Sequence, residues 1–131
     1  MTASDERIVL LAEDDEGDVY LLKRSFERYE LAARLEIVEN GRQALDRLRA
    51  EPRVALLVTD LKMPVMNGLE LLSAIAEDPE LARLKRAVLT SSGEARDRER
   101  ARACGVDDYL EKPMTIEEWR PIVERLKALL A

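Results

Sequence analysis

The 131-residue chain contains no histidine and a single cysteine, Cys104. Without histidine there is no Ser-His-Asp or Cys-His nucleophile, no imidazole base and no histidine-ligated zinc. One cysteine permits neither an intramolecular disulfide nor a thiolate metal cluster. Aromatic residues make up only 4% of the chain, and no apolar run approaches the about 18 residues a membrane span requires. The opening residues, Met1 to Arg7, lack the basic and apolar regions of a signal peptide. A cytoplasmic location is therefore expected. Positive charge is in deficit, with 21 Lys and Arg against 27 Asp and Glu and a net charge of −6. A field of that sign disfavours nucleic acid and anionic membranes as partners. Any chemistry must rest on carboxylates, hydroxyls, lysine or a hard metal ion.

What is present is globular composition, 47% hydrophobic and 37% charged, in a length that suits one domain. We expect a single domain over 1–131, with a core from about residue 7 to residue 130 and no output domain attached.

Short apolar runs alternate with helical patterns from end to end. Ile8-Val-Leu-Leu-Ala12 is stopped by Glu13, Asp14 and Asp15, and Val19, Leu22 and Phe26 then share one helical face. Leu35–Glu39 alternates like a strand, Asn40-Gly41 turns the chain, and Ala44, Leu45 and Leu48 mark a short helix ending before Pro52. Val54–Val58 is continuously apolar, as in a strand buried on both faces, and ends in Thr59-Asp60. Leu69, Leu72 and Ile75 mark a third helix, Ala87–Leu89 a fourth strand, and Glu94–Cys104 a highly charged helix closed by Gly105. Val106–Leu110 reads as the last strand. Thr115 with Glu118 forms a candidate capping box for the final helix, in which Pro121 predicts a kink or a late start.

Five βα units in succession imply an α/β fold, a doubly wound parallel sheet covered on both faces. Ligands of such sheets bind beyond the carboxyl ends of the strands. The residues that follow the strands are Glu13, Asp14 and Asp15, then Asp60, then Thr90 and Ser91, then Lys112 and Pro113. Carboxylates gathered on one rim repel unless something positive sits among them. Lys112 and a divalent cation are the two candidates, and Mg²⁺ favours one or two carboxylates with water and phosphate oxygens. A carboxylate beside such a cation, with a lysine and a hydroxyl nearby, suits phosphoryl transfer through an acyl phosphate.

In these segments the chain resembles the receiver domains of two-component response regulators. The matching stretches are Leu10-Leu-Ala-Glu-Asp-Asp15, Asp60-Leu-Lys-Met-Pro-Val-Met-Asn-Gly68, Leu89-Thr-Ser91 and Gly105-Val-Asp-Asp-Tyr-Leu-Glu-Lys-Pro113. The resemblance implies a flavodoxin-like (βα)5 fold with strand order 2-1-3-4-5. It makes Asp60 the phosphoacceptor, served by a sensor histidine kinase, with Thr90 and Lys112 contacting the phosphoryl group. It assigns Mg²⁺ to Asp14 directly, to Glu13 through water, to Asp60 and to the backbone carbonyl of Lys62. Thr90 and Tyr109 become the switch pair, Tyr109 moving inward as Thr90 is drawn to the phosphate, and the Lys112–Pro113 bond would be cis, as is usual in the family, whereas from the sequence alone cis is the minority outcome. Output would be protein–protein signalling or relay to a phosphotransfer protein, and the chain would be no enzyme beyond promoting its own phosphorylation and dephosphorylation. The opening of the first helix is similar to short regulators paired with phytochrome-type kinases, several of which form homodimers through the last strand and helix.

Other readings stand beside these. Asp15 serves either the site or only the helix dipole. Cys104, Met63, Met66 and Met114 read as packing. Trp119 is core or a partner anchor, and Leu126, Leu129 and Leu130 are core or a dimer face. The charged helix is a solvated face or a docking surface. An aspartyl phosphatase would need an aspartate where Lys62 stands. The surviving rival is a pseudo-receiver, an interaction module that is never phosphorylated.

Overall fold

The computed structural model describes residues 7–131; residues 1–6 of the expected domain lie outside the described residues. Five strands and five helices alternate: β1 (Ile8–Ala12), α1 (Glu16–Arg28), β2 (Arg34–Val38), α2 (Gly41–Ala50), β3 (Leu56–Thr59), α3 (Gly68–Glu77), β4 (Arg86–Thr90), α4 (Ala95–Ala103), β5 (Asp108–Glu111) and α5 (Trp119–Leu130). All neighbours pair in parallel in the order β2-β1-β3-β4-β5. This is the doubly wound sheet expected from the sequence.

Because side chains alternate across a strand, β1 feeds two cores. Val9 and Leu11 point to one face, with Leu22 and Phe26 of α1 and Trp119, Ile122, Val123 and Leu126 of α5. Leu10 and Ala12 point to the other, with Ala44, Leu45 and Leu48 of α2 and Leu71 and Ile75 of α3. Central β3 is buried along its whole length, which is why its run is apolar up to Thr59. Burying each such aliphatic side chain stabilises the fold by about 1.5–3 kcal/mol.

Trp119 is 1% exposed and belongs to the core. Leu126 is fully buried and Leu129 and Leu130 pack against the same cluster, so these leucines hold α5 to its own domain. Cys104 is only half-buried, beside Ala101 and Val106. Met63 and Met66 pack on the second core, but Met114 is 93% exposed and packs on nothing. Among the residues of α4 only Ala101 is buried, as its charge density requires.

The element ends are set by specific bonds. Asn40 Oδ1 accepts from the Gln43 amide at 2.8 Å, so Asn40 caps α2 as well as turning the chain. Asn67 and Glu70 form a reciprocal capping box at the start of α3. At the end of α4, Gly105 takes φ +79° and the Val106 amide reaches back to Ala101 O. That helix stop uses Val106, so β5 begins later, at Asp108. The capping box expected at Thr115 and Glu118 is not formed as such. Thr115 Oγ1 bonds the Glu118 carboxylate at 2.9 Å, and α5 starts only at Trp119. Proline explains the delay: an earlier start would place Pro121 where its missing N–H and its ring break the ladder, whereas here it lies in the first turn.

The loop after β3 carries one strained residue. Val65 has φ +67° and is 82% exposed, a conformation that crowds the Cβ of any L-residue and a β-branched one most. Val65→Gly is expected to raise the unfolding free energy by about 1 kcal/mol. A urea titration showing no gain would mean that the loop relaxes around valine without strain.

Candidate phosphoryl-acceptor site

Parallel strands end at one edge of the sheet, and the acidic residues predicted from the sequence are found there. Asp60 follows β3; its amide donates to Ala12 O at 3.0 Å, which ties it to the end of β1. Its carboxylate is fixed at both oxygens. Oδ1 accepts from the Leu61 amide at 2.6 Å, and Oδ2 accepts from Lys112 Nζ at 2.6 Å. The residue is 7% exposed, yet it lines an open cleft of about 540 Å³ together with Glu13, Asp14, Asp15, Asp18, Lys62, Thr90, Ser91 and Lys112.

Lys112 is the hub. Its ammonium bonds Glu13 at 2.7 Å, Asp18 at 2.6 Å and Asp60 at 2.6 Å. Burial alone would depress its pKa, but the bonds to Asp18, Asp60 and Glu13 outweigh burial and hold it above the ordinary lysine range. The Lys112–Pro113 bond, expected to be cis, is trans, since the described residues contain no cis peptide. Trans is the favoured isomer of an X–Pro bond.

Glu13 is buried even more deeply than Asp60. Desolvation pushes its carboxyl up to about 7, assisted by the charge of Asp60 and opposed by Lys112. Its second oxygen accepts from the Asp15 amide at 3.2 Å. Asp14 is exposed at the mouth of the cleft, and Asp15 turns away to cap α1, its Oδ1 accepting from the Gly17 amide at 2.9 Å. Of its two readings, the one at the helix start fits, and its observed contact is a cap bond as well as a charge beside the dipole.

Thr90 ends β4 and is 1% exposed, with Oγ1 facing the Ser92 amide at 3.4 Å. Tyr109 is held inward: its hydroxyl donates to Ser92 O at 2.9 Å, and Arg98 of α4 lies 4.6 Å over its ring. Arg98 in turn bonds Glu111 at 2.9 Å. Thr90 and Tyr109 thus meet at Ser92, in the loop between β4 and α4.

Asp18 and Arg98 were missed as site residues. Asp18 lies within α1, and only the knowledge that the first turn of that helix faces Lys112 would have raised it above an ordinary helix-start acid.

No group of three or more acidic or cysteine side chains among the described residues forms a ready metal cage. The donor set still suits a magnesium-type ion. Glu13, Asp14 and Asp60 offer hard oxygens to one cleft beside Lys62, and Mg²⁺ takes few protein ligands and keeps water on the rest.

The model for the response regulator receiver domain matches residues 9–124. A probable methanogenesis regulatory protein, FilR2 of Methanothrix harundinacea, is 37% identical over 97% of this chain and 85% of its own length. The phosphate regulon regulatory protein PhoB of Rhizobium meliloti is 34% identical over 93% of the chain, which spans only 51% of that protein. Among solved structures, the bacteriophytochrome response regulator RtBRR superposes with a TM-score of 0.81 at 31% identity, covering 96% of this chain and 78% of RtBRR. The phosphorylated cyanobacterial phytochrome response regulator RcpA gives 0.86 at 25% identity, covering 95% and 94%. The family model covers most of the chain and the strand order is the one described above: the chain belongs to the response regulator receiver domains of two-component signal transduction.

Proposed function

We propose that Asp60 accepts a phosphoryl group from a phosphohistidine of a sensor kinase and that the resulting acyl phosphate switches the Thr90 and Tyr109 face. The observation that carries this reading is the double anchoring of Asp60, by the Leu61 amide and Lys112, at the floor of an open cleft. A carboxylate so held is aimed before the donor arrives, which removes orientational entropy from the barrier. An Asp60 oxygen attacks phosphorus, the P–N bond to the donor imidazole breaks, and the imidazole leaves with that electron pair. Lys112 meets the charge on the transferred oxygens, and Thr90 Oγ1 supplies a neutral hydrogen bond. Bound Mg²⁺, held by Glu13, Asp14, Asp60 and the Lys62 carbonyl, would neutralise the remaining phosphoryl charge. A Mn²⁺-bound form of the similar regulator Rcp1, 26% identical with a TM-score of 0.82, supports a divalent site of this kind.

The switch face leads outward through Ser92 and Arg98 to α4, the charged surface offered to a downstream protein or a phosphotransfer partner. The kinship with RtBRR and RcpA favours a phytochrome-type kinase as the donor. The protein acts on no separate substrate in this reading. No helix among the described residues is long and apolar enough to cross a membrane.

The test is intact mass after incubation with acetyl phosphate and Mg²⁺. Wild type should gain one phosphoryl group, and the gain should vanish in Asp60→Asn or when the divalent ion is chelated. A wild type that stays bare here, and also with a competent histidine kinase, would establish the pseudo-receiver reading instead.

A further inference from the structure

The Lys112 ammonium donates hydrogen bonds to Asp18 and Asp60 and pairs with Glu13 at 2.7 Å, so three carboxylates share its donors. The phosphorylation reading, on which this inference rests, gives two of those acceptors other duties. Asp60 becomes the acyl phosphate, and Glu13 belongs to the cation's donor set. Asp18 has neither duty. It is the third residue of α1, and Glu16 in the same turn already complements the helix dipole. Its carboxylate nevertheless reaches a lysine 94 positions away in the sequence and forms one of the two shortest contacts that lysine makes.

We propose that Asp18 is a positioning residue for Lys112: it keeps the ammonium on the rim when Glu13 and Asp60 are otherwise engaged, and it competes with the phosphoryl group for the lysine's donors. Two effects of opposite sign follow from one charge. The carboxylate offsets the ammonium, so a divalent cation can share the rim with Lys112; removing it weakens cation binding. The same carboxylate draws one N–H away from the phosphoryl oxygens; removing it lets Lys112 hold them more completely and slows loss of the group. A change that merely damaged the fold would worsen both.

The variant is Asp18→Asn, which keeps the side-chain shape and deletes the charge, with Asp18→Glu as the conservative control. Mn²⁺ is titrated into each full-length protein and followed by the electron paramagnetic resonance signal of the free ion. Acyl phosphate made with acetyl phosphate at saturating Mg²⁺ is then followed by intact mass after the donor is removed. Asp18→Asn should raise the Mn²⁺ dissociation constant about three- to tenfold and lengthen the acyl phosphate half-life about two- to fivefold, with Asp18→Glu moving both back toward wild type. Unchanged values for both, or weaker binding together with faster decay, would overturn the proposal. A wild type that takes up no phosphoryl group would overturn the phosphoacceptor reading and the competition with it. That result is distinct from a phosphorylated wild type beside an indifferent variant.

Discussion

Lys112→Ala is expected to lower the unfolding free energy by about 3–5 kcal/mol at about pH 8 without divalent cations. The substitution leaves Glu13, Asp18 and Asp60 facing one another with their shared countercharge gone, two of them almost wholly shielded from water. The pH dependence separates this cause from lost packing. Glu13's carboxyl already lies above its unfolded value of 4.5, at about 7. The stability gained by retaining its proton is therefore present below 4.5 and lost as pH rises through about 7. Without the ammonium that window widens, so the variant's deficit should be largest near pH 8 and smallest near pH 5. Lys112's own stabilising charge does not confuse the comparison. Its pKa is raised in the folded protein, so that contribution is present throughout this range and fades only in strong alkali. Mg²⁺ should restore part of the loss, because an ion that binds only the folded variant stabilises it by mass action. Urea titrations at both pH values, with and without Mg²⁺, make the measurement. An equal loss at both, indifferent to Mg²⁺, would show that Lys112 matters only as buried volume.

Gly68→Ala is expected to cost about 3 kcal/mol and to impair phosphorylation together with stability. A Cβ on Gly68 would lie 2.0 Å from Asp60 O, 2.8 Å from Leu61 Cα and 2.9 Å from Asp60 C. All three are backbone atoms of the segment that presents the Asp60 carboxylate, so no side chain can swing aside to make room. Either the turn moves, taking Asp60 from its two donors, or the fold opens. Gly17→Ala is the matched control, since its new Cβ would meet only the Asp15 side chain, at 3.3 Å. Thermal unfolding and the rate of phosphoryl uptake should fall together for Gly68→Ala and hold for Gly17→Ala. A Gly68→Ala protein as stable as wild type would show that the loop can yield without displacing Asp60.

Glu13, Asp14, Asp60, Thr90 and Lys112 were legible because each lies within two residues of the end of an apolar run, and parallel strands deliver their ends to one edge. Position along the chain then stands in for position in space. Asp18 had no such proxy: it sits on a helix, where the direction of a side chain depends on how that helix packs. Arg98 was hidden for a related reason, one arginine among several on α4, distinguished only by the tyrosine ring beneath it. Pro121 signalled a late start correctly, while Thr115 and Glu118 satisfied a capping pattern by bonding one another one turn ahead of the helix. The packing of Met114 failed because local sequence does not record what lies opposite a side chain.

The central place of β1 has a consequence for the chain as it is made. β1 pairs with β2 and with β3, and its partner Thr59 lies 47 residues beyond Ala12. At roughly 5–20 residues per second of synthesis, that segment waits several seconds for its second neighbour. Until then Ile8–Ala12 is an apolar strand with an open edge, the kind of segment that pairs with other chains. Arg7 stands immediately before it and Glu13, Asp14 and Asp15 immediately after, so charge brackets the strand on both sides. Glu13 and Asp14, the acids proposed above for phosphoryl chemistry, thus stand where flanking charge disfavours pairing of the unfinished strand with other chains.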